Sequence, residues 1–427
     1  MGKLAILACG GPAPGINSVI AAATIRACLS GYSVIGIQDG FRHIMEGDSS
    51  RVLPLDIHTT SRIHFRGGSF IGISRGSPLA APGKMQNTLN VFRELGVTML
   101  ITIGGDGTAY VASKLADASG GALRVVHVPK TIDNDIDLPF DVPTFGFQTA
   151  RHVGVGIVEN LMVDAKTTGR WYFVVAQGRN AGHLALAIGK AAGATLSLIP
   201  EEFPRGIPLT TVVDTLVGAM VKRVADGNRR HGIALIAEGL SEVIRAADLE
   251  QYRELPRDAH GNLSYANVRL ADILEDAARK RIASLGVPLT IQAKEVGYEL
   301  RCADPIPFDI EYTRDLGYCA AKFILEGGTQ AMVSMQNGRF EPIPFADLID
   351  PASGRARVRM VDLTSDRYKI ARSYMVRLRW SDMEDPGTLA RLAAVTNLTP
   401  SEFLAAFGAV VQSDGPSSLV PPAMRGA

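Results

Sequence analysis

Three apolar runs in this chain break off into polar or glycine-rich clusters, and this plan most constrains how it folds. Leu4-Ala5-Ile6-Leu7-Ala8 opens into GGPAPGIN at 10–17 and then an alanine-rich helical pattern. Thr98-Met99-Leu100-Ile101-Thr102-Ile103 opens into GGDGT at 104–108, with a helix expected from Ala109. Val125-Val126-His127-Val128 opens into PKTIDND at 129–135. Short apolar runs bounded by turn residues read as buried strands. Strands alternating with helices imply a parallel, doubly wound sheet. In such sheets ligands collect at the carboxyl ends of the strands, which is where all three clusters fall.

The residue types there suit one chemistry. Glycines allow close backbone approach, a helix N-terminus attracts anions, and Asp106 can hold a magnesium ion. Asp133 can take a proton from a hydroxyl, and Lys130 can steady phosphoryl charge. Each motif alone has an ordinary structural reading, as a tight turn, a helix cap or a solvated carboxylate. Their occurrence together and in order is much less easily structural.

The rest of the chain continues the alternation. Val34-Ile35-Gly36-Ile37 reads as a short strand, and a glycine-rich loop at 65–72 carries Arg66, with Arg75 just beyond. Helical spacing runs from Phe145 to Val163. Trp171-Tyr172-Phe173-Val174-Val175-Ala176 is a strong strand, entered by Arg170 and left by Gly178-Arg179. His183 opens a helix, and Ile233-Ala234-Leu235-Ile236-Ala237 ends at Glu238. Another helix is expected from Asp315 to Leu325. From about residue 340 the chemical signals thin out, with an edge strand expected at 357–361 and a flexible tail over 413–427.

Length and composition bound the rest. A chain of 427 residues, 46% hydrophobic and 20% charged, can bury a substantial core. A net charge of +1 makes neither nucleic acid nor an anionic membrane the expected partner. Cys9, Cys28, Cys302 and Cys319 form no CxxC pair, so neither a zinc site nor a disulfide framework is expected. With no leader pattern before the first strand and no long apolar stretch, a cytoplasmic location is the expectation.

Taken together, GGPAPGIN, GGDGT, PKTIDND, GRWYFVVAQGR at 169–179 and GYELR at 297–301 resemble the phosphofructokinase family, over roughly residues 3–325, and the longer body with the segments around Arg151–Arg179 and Gly297–Leu316 looks most like its bacterial pyrophosphate-using branch. The resemblance implies two doubly wound α/β domains with the active site in the cleft between them. A donor-phosphate domain is expected over 1–150, joined by part of 300–400, and a sugar-phosphate domain over 151–300. It implies Mg²⁺-dependent transfer of a phosphoryl group to the C1 hydroxyl of fructose 6-phosphate. Asp133 would be the base and Asp106 the Mg²⁺ ligand. Lys130, Thr131 and Arg179 would face the transferred group. Gly11, Arg75, Gly107 and Thr108 would line the donor. Thr131, Ile132, Asp133, Asp135, Arg170, Gln177, Gly178, Arg179, Glu238, Tyr298 and Arg301 would hold the sugar phosphate. The residue matching Arg170 reaches in from a neighbouring subunit in the family, so a homodimer or homotetramer is implied.

The donor is ATP or pyrophosphate. Pyrophosphate users of the family normally carry an aspartate after GGD, and this chain has Gly107 there. Val111, where ATP users have a small glycine, and Pro12 point the other way, and Lys130 occurs in both branches. Gly107 weighs most, because it removes both charge and bulk, so ATP is the expected donor and pyrophosphate the alternative. A catalytically silent sensor on the same fold would not need the complete set Asp106, Lys130, Asp133 and Arg179. Lipid and NAD kinases share GGDGT but lack PKTIDND.

Overall fold

The computed structural model describes residues 2–252, 268–348 and 357–411; the tail expected over 413–427 lies outside them. The chain divides into two compact units. The first runs to Val153 and returns from Tyr298 to Arg359, and the second spans Gly154–Gly297 and resumes at Met360.

In the first unit the apolar runs are strands β1 (Lys3–Ala8), β2 (Ser33–Ile37), β3 (Val52–Leu55), β4 (Val97–Gly104) and β5 (Arg124–Thr131), with a two-residue β6 (Phe145–Gly146). The second unit holds β7 (Trp171–Ala176), β8 (Leu196–Leu198), β9 (Gly232–Ala237) and β10 (Ile291–Val296). The first is completed by β11 (Ala331–Met332), a small hairpin of β12 (Met335–Gln336) and β13 (Arg339–Phe340), and β14 (Ile343–Pro344).

The first unit's sheet has the order β14-β11-β5-β4-β1-β2-β3, with β6 paired to β5. Its interior pairings are parallel, and β3 and β14 run antiparallel at the two edges. Alternation along β1 sends Leu4, Ile6 and Ala8 into one core and Ala5, Leu7 and Cys9 into another. Helices Ile16–Leu29 and Pro307–Leu325 cover the first face, while Lys84–Glu94 and Asp106–Ala118 cover the second. The chain runs outward from β1 to β2 and β3 on one side and then crosses to β4 and β5 on the other, so the sheet's switch point lies between β1 and β4.

The second unit repeats the design with four parallel strands in the order β10-β7-β9-β8. The segment after Met360 packs onto this unit. Buried Arg377 pairs with Glu202 at 2.7 Å, and Tyr368 donates to the same carboxylate. No helix among the described residues is long and apolar enough to cross a membrane.

Several boundaries differ from the expectations. The helix after GGD begins at Asp106 rather than Ala109, because Gly105 already takes the extended N-cap conformation. The helix expected from Phe145 begins at Phe147, since Phe145–Gly146 pairs as a strand with Lys130–Thr131. The helix expected from Asp315 starts at Pro307, whose fixed φ suits a first helical turn. Residues 357–361 form no strand; Val358 makes a single antiparallel bridge to Ile136.

Helices Ile16–Leu29 and Pro307–Leu325 pack tightly at Gly317, where a Cβ would stand 2.5 Å from the Val19 carbonyl oxygen. Backbone cannot yield as a side-chain tip does. Gly317→Ala should therefore cost about 1–3 kcal/mol through overpacking, read as a lower urea midpoint with an unchanged slope.

Candidate active site

Three strand ends of the first unit build one polar centre. After β1 the chain turns at Gly10, whose φ of 89° lies in the left-handed region that glycine adopts freely. The Gly10 amide donates to the Ser74 carbonyl at 2.8 Å, and Cys9 bridges Ser74, which brings exposed Arg75 beside this turn. Asn17, buried in the first turn of helix Ile16–Leu29, donates to the carbonyls of Arg66 and Gly67 at 3.1 and 3.2 Å and accepts from the Phe70 amide. One side chain thus pins the glycine-rich loop.

At the end of β4, Asp106 and Gly107 are exposed on the first helical turn, where the helix dipole favours anions. Thr108 is buried beneath that turn against Gly104, so the exposed face belongs to Asp106 and Gly107. A Cβ on Gly107 would meet nothing within 4 Å. Val111 packs into the apolar core with Leu100 and Leu115 and does not project from the exposed turn, which removes the expected crowding.

β5 runs on through Thr131, so Lys130 and Thr131 belong to the strand rather than to the loop after it. Lys130 is buried, and its ammonium donates to the Gly11 carbonyl. Burial pushes its pKa from 10.5 down to about 8, opposed by the charges of Asp133 and Asp106, while Arg301 adds to the fall. Neighbouring Cys9 is held as the thiol, burial raising its pKa to about 12. The Asp133 amide donates to Thr131 Oγ1 at 3.0 Å. Asp135 is pushed up to about 7 by burial first, then by the charges of Asp133 and Asp106. The three carboxylates and the lysine therefore form one coupled group. Ile132 is buried and offers a ligand only its backbone.

Arg301 lies beside the same centre, with Cζ 3.8 Å from where a Gly11 Cβ would stand and 5.0 Å from the Tyr298 ring centroid. Tyr298 is exposed. Two supporting residues carried no signal in the sequence. Buried His127 accepts from Thr102 Oγ1 at 2.8 Å and donates to the Gly104 carbonyl at 3.1 Å, fixing β5 against the glycine end of β4. Burial lowers its pKa to about 3, so it is neutral. Arg359 binds the loop after Asp133 and sits where the sequence signals had thinned.

The second unit gathers Gln177, Gly178, Arg179 and Glu238 at the carboxyl ends of neighbouring β7 and β9. The Gly178 amide donates to Glu238 Oε2 at 3.1 Å, and the Glu238 amide donates to the Ala176 carbonyl at 3.0 Å. Arg179 is exposed beside them. Arg170 is not with this group. It enters β7 at the opposite end, 4.0 Å from Asp164, so the strand itself holds it away.

The lysine generates a prediction with a definite sign. The native state releases the Lys130 proton near pH 8, and the unfolded chain keeps it to about 10.5. Between those values the unfolded state binds more protons, so stability rises with pH. Urea unfolding of the parent should gain on Lys130→Met by up to roughly 3 kcal/mol between pH 7 and 10.5.

The phosphofructokinase family profile matches residues 3–324. The chain is 49% identical over 409 residues to a protein of Thermotoga maritima named pyrophosphate–fructose 6-phosphate 1-phosphotransferase, covering 94% of this chain and 97% of that one. It is 41% identical over 418 residues to a protein of the same name from Naegleria fowleri, covering 96% of each. Against the ATP-dependent 6-phosphofructokinase 3 of Streptomyces coelicolor, identity is 31% over 349 residues, covering 82% of this chain and 95% of that one. The fold matches the phosphofructokinase of Saccharomyces cerevisiae with a TM-score of 0.65 at 17% identity, over 99% of this chain but 52% of that one. It matches a pyrophosphate-dependent phosphofructokinase from Nitrosospira multiformis equally well, with a TM-score of 0.65 at 17% identity, over 87% of this chain and 90% of that one. With its profile matched along most of its length and relatives this similar, the chain belongs to the phosphofructokinase family.

Proposed function

We propose that this protein transfers a phosphoryl group from pyrophosphate to the C1 hydroxyl of fructose 6-phosphate, reversibly. The observation that carries the donor is the contrast in similarity: 49% and 41% identity to pyrophosphate-named relatives against 31% to an ATP-named one. The expectation of ATP from Gly107 gives way to it. Gly107 stands on an open turn, so its missing side chain leaves room without creating any contact that selects a nucleotide. Val111, turned into the core, bears on neither donor.

The proposed chemistry assigns each residue the role that the family resemblance implies. Phosphoryl transfer needs positioning and charge stabilisation rather than a protein nucleophile. Asp133 accepts the proton of the attacking hydroxyl. Lys130 and Thr131 face the transferred group, and the near-neutral pKa of Lys130 still leaves it charged below pH 8; Arg179, in the second unit, keeps the charge-stabilising role that the resemblance implies. Gly11, Arg75, Gly107 and Thr108 line the donor. Ile132, Asp135, Gln177, Gly178, Glu238, Tyr298 and Arg301 hold the sugar phosphate, and Arg170, turned away from the others on its own strand, serves a second copy of the chain in a homo-oligomer.

Mg²⁺ fits this donor set. Among the described residues no group of three or more His, Cys, Asp or Glu side chains makes a cage. Exposed Asp106, with Asp133 and Asp135 in electrostatic reach, instead suits a cation that binds through one carboxylate, donor phosphates and water. Bound there by Asp106, it would neutralise phosphate charge.

The purified protein, given fructose 6-phosphate and Mg²⁺, should turn over with pyrophosphate at least about tenfold faster than with ATP at matched concentration, a difference of about 1.4 kcal/mol in barrier. Faster turnover with ATP would sink the donor assignment. Asp133→Asn should lower kcat by about 10²–10⁴ while keeping the far-ultraviolet spectrum, as loss of a general base does.

A further inference from the structure

The loop after β5 presents Asp133, and its conformation is set from outside the region that the family profile matches. Asn134, next to the base, takes a φ of 58°, which asparagine tolerates but which needs support. Its buried side chain accepts from the Thr144 amide at 3.0 Å, closing the loop across ten residues. The rest of the support comes from Arg359. Its Nε donates to the Asn134 carbonyl at 3.1 Å, Nη2 to Asn134 Oδ1 at 2.5 Å and Nη1 to the Val142 carbonyl at 2.9 Å. Its backbone amide donates to the Asp135 carbonyl at 2.8 Å, and its neighbour Val358 bridges Ile136.

One half-buried planar cation therefore joins the two ends of the 134–142 loop that follows the base. A guanidinium holds three acceptors in fixed directions, which an ammonium cannot copy. Displacing a catalytic group by a fraction of an ångström costs rate far more than it costs binding. Residues 325–359 lie beyond the matched profile, so this brace is supplied by the return segment of the first unit.

We propose that Arg359 is a positioning residue for phosphoryl transfer, fixing the 133–142 loop and so the place of the Asp133 carboxylate. This rests on the phosphotransferase reading above. The test compares parent, Arg359→Lys and Arg359→Met by steady-state kinetics with fructose 6-phosphate, pyrophosphate and Mg²⁺, with thermal unfolding of each. Arg359→Lys retains charge and stem, so it serves as the folded variant should Arg359→Met fail to fold. Expected are a fall in kcat of about tenfold for Lys and up to about a hundredfold for Met, with KM for both substrates within about twofold. A kcat within about twofold of the parent in either folded variant overturns the proposal. So does a loss that merely tracks the folded fraction. An inactive parent would sink the phosphotransferase reading and the assignment together; an active parent with indifferent variants sinks the assignment alone.

Discussion

The site in the first unit depends on one buried cation. Lys130 is taken out of water at the end of β5 and given a backbone carbonyl, that of Gly11, and the field of nearby carboxylates. Burying an ammonium costs several kcal/mol unless partners compensate it. Here the partners come from all three strand ends: Gly11 after β1, Asp106 after β4 and Asp133 after β5. The compensation is incomplete, and the depressed pKa of Lys130 records the remainder. The carboxylates depend on the lysine in turn. Asp135 already holds its proton up to about pH 7, through burial first and then because Asp133 and Asp106 stand near it. Without a central cation the same crowding would press on the base.

The fold makes this arrangement possible through backbone rather than side chains. Parallel strands that reverse direction of connection at β1 put two glycine-rich ends next to each other. The turn at Gly10 aims the Gly11 carbonyl inward, and His127 ties Gly104 to β5 through a neutral ring. Burial keeps that ring uncharged, so it adds no second cation beside Lys130. In the second unit the same parallel plan brings Gly178 and Glu238 together at adjacent strand ends.

Most of the fold and much of the site were legible in the sequence, for local reasons. Apolar runs ending in glycine or carboxylate clusters place β1, β4, β5, β7 and β9 within a few residues, because burial and turn chemistry are both short-range signals. What escaped was set by distant segments. That strand pairing extends through Lys130 and Thr131 depends on β6, which pairs with them from fifteen residues further on. That Val111 faces the core depends on where the helix begins, and Gly105 shifts that start by three residues. Arg359 was invisible because its partners lie more than two hundred residues away, and two of them are backbone carbonyls, which leave no trace in residue identity.

The expectation of ATP from Gly107 rests on the same kind of local signal. A residue identity was taken as a donor signal, although a glycine on an open turn exerts no force of its own. An aspartate there would repel a nucleotide's α-phosphate; its absence removes that repulsion and leaves preference to the attractive contacts around it. Specificity is a difference between two binding free energies, and deleting one unfavourable term does not fix the sign of that difference. The described charges of this centre, on Lys130 and at the exposed helix turn of Asp106, act on the phosphates of either donor. Similarity along the whole chain averages over every such contact, so it carries the proposed donor where one residue could not.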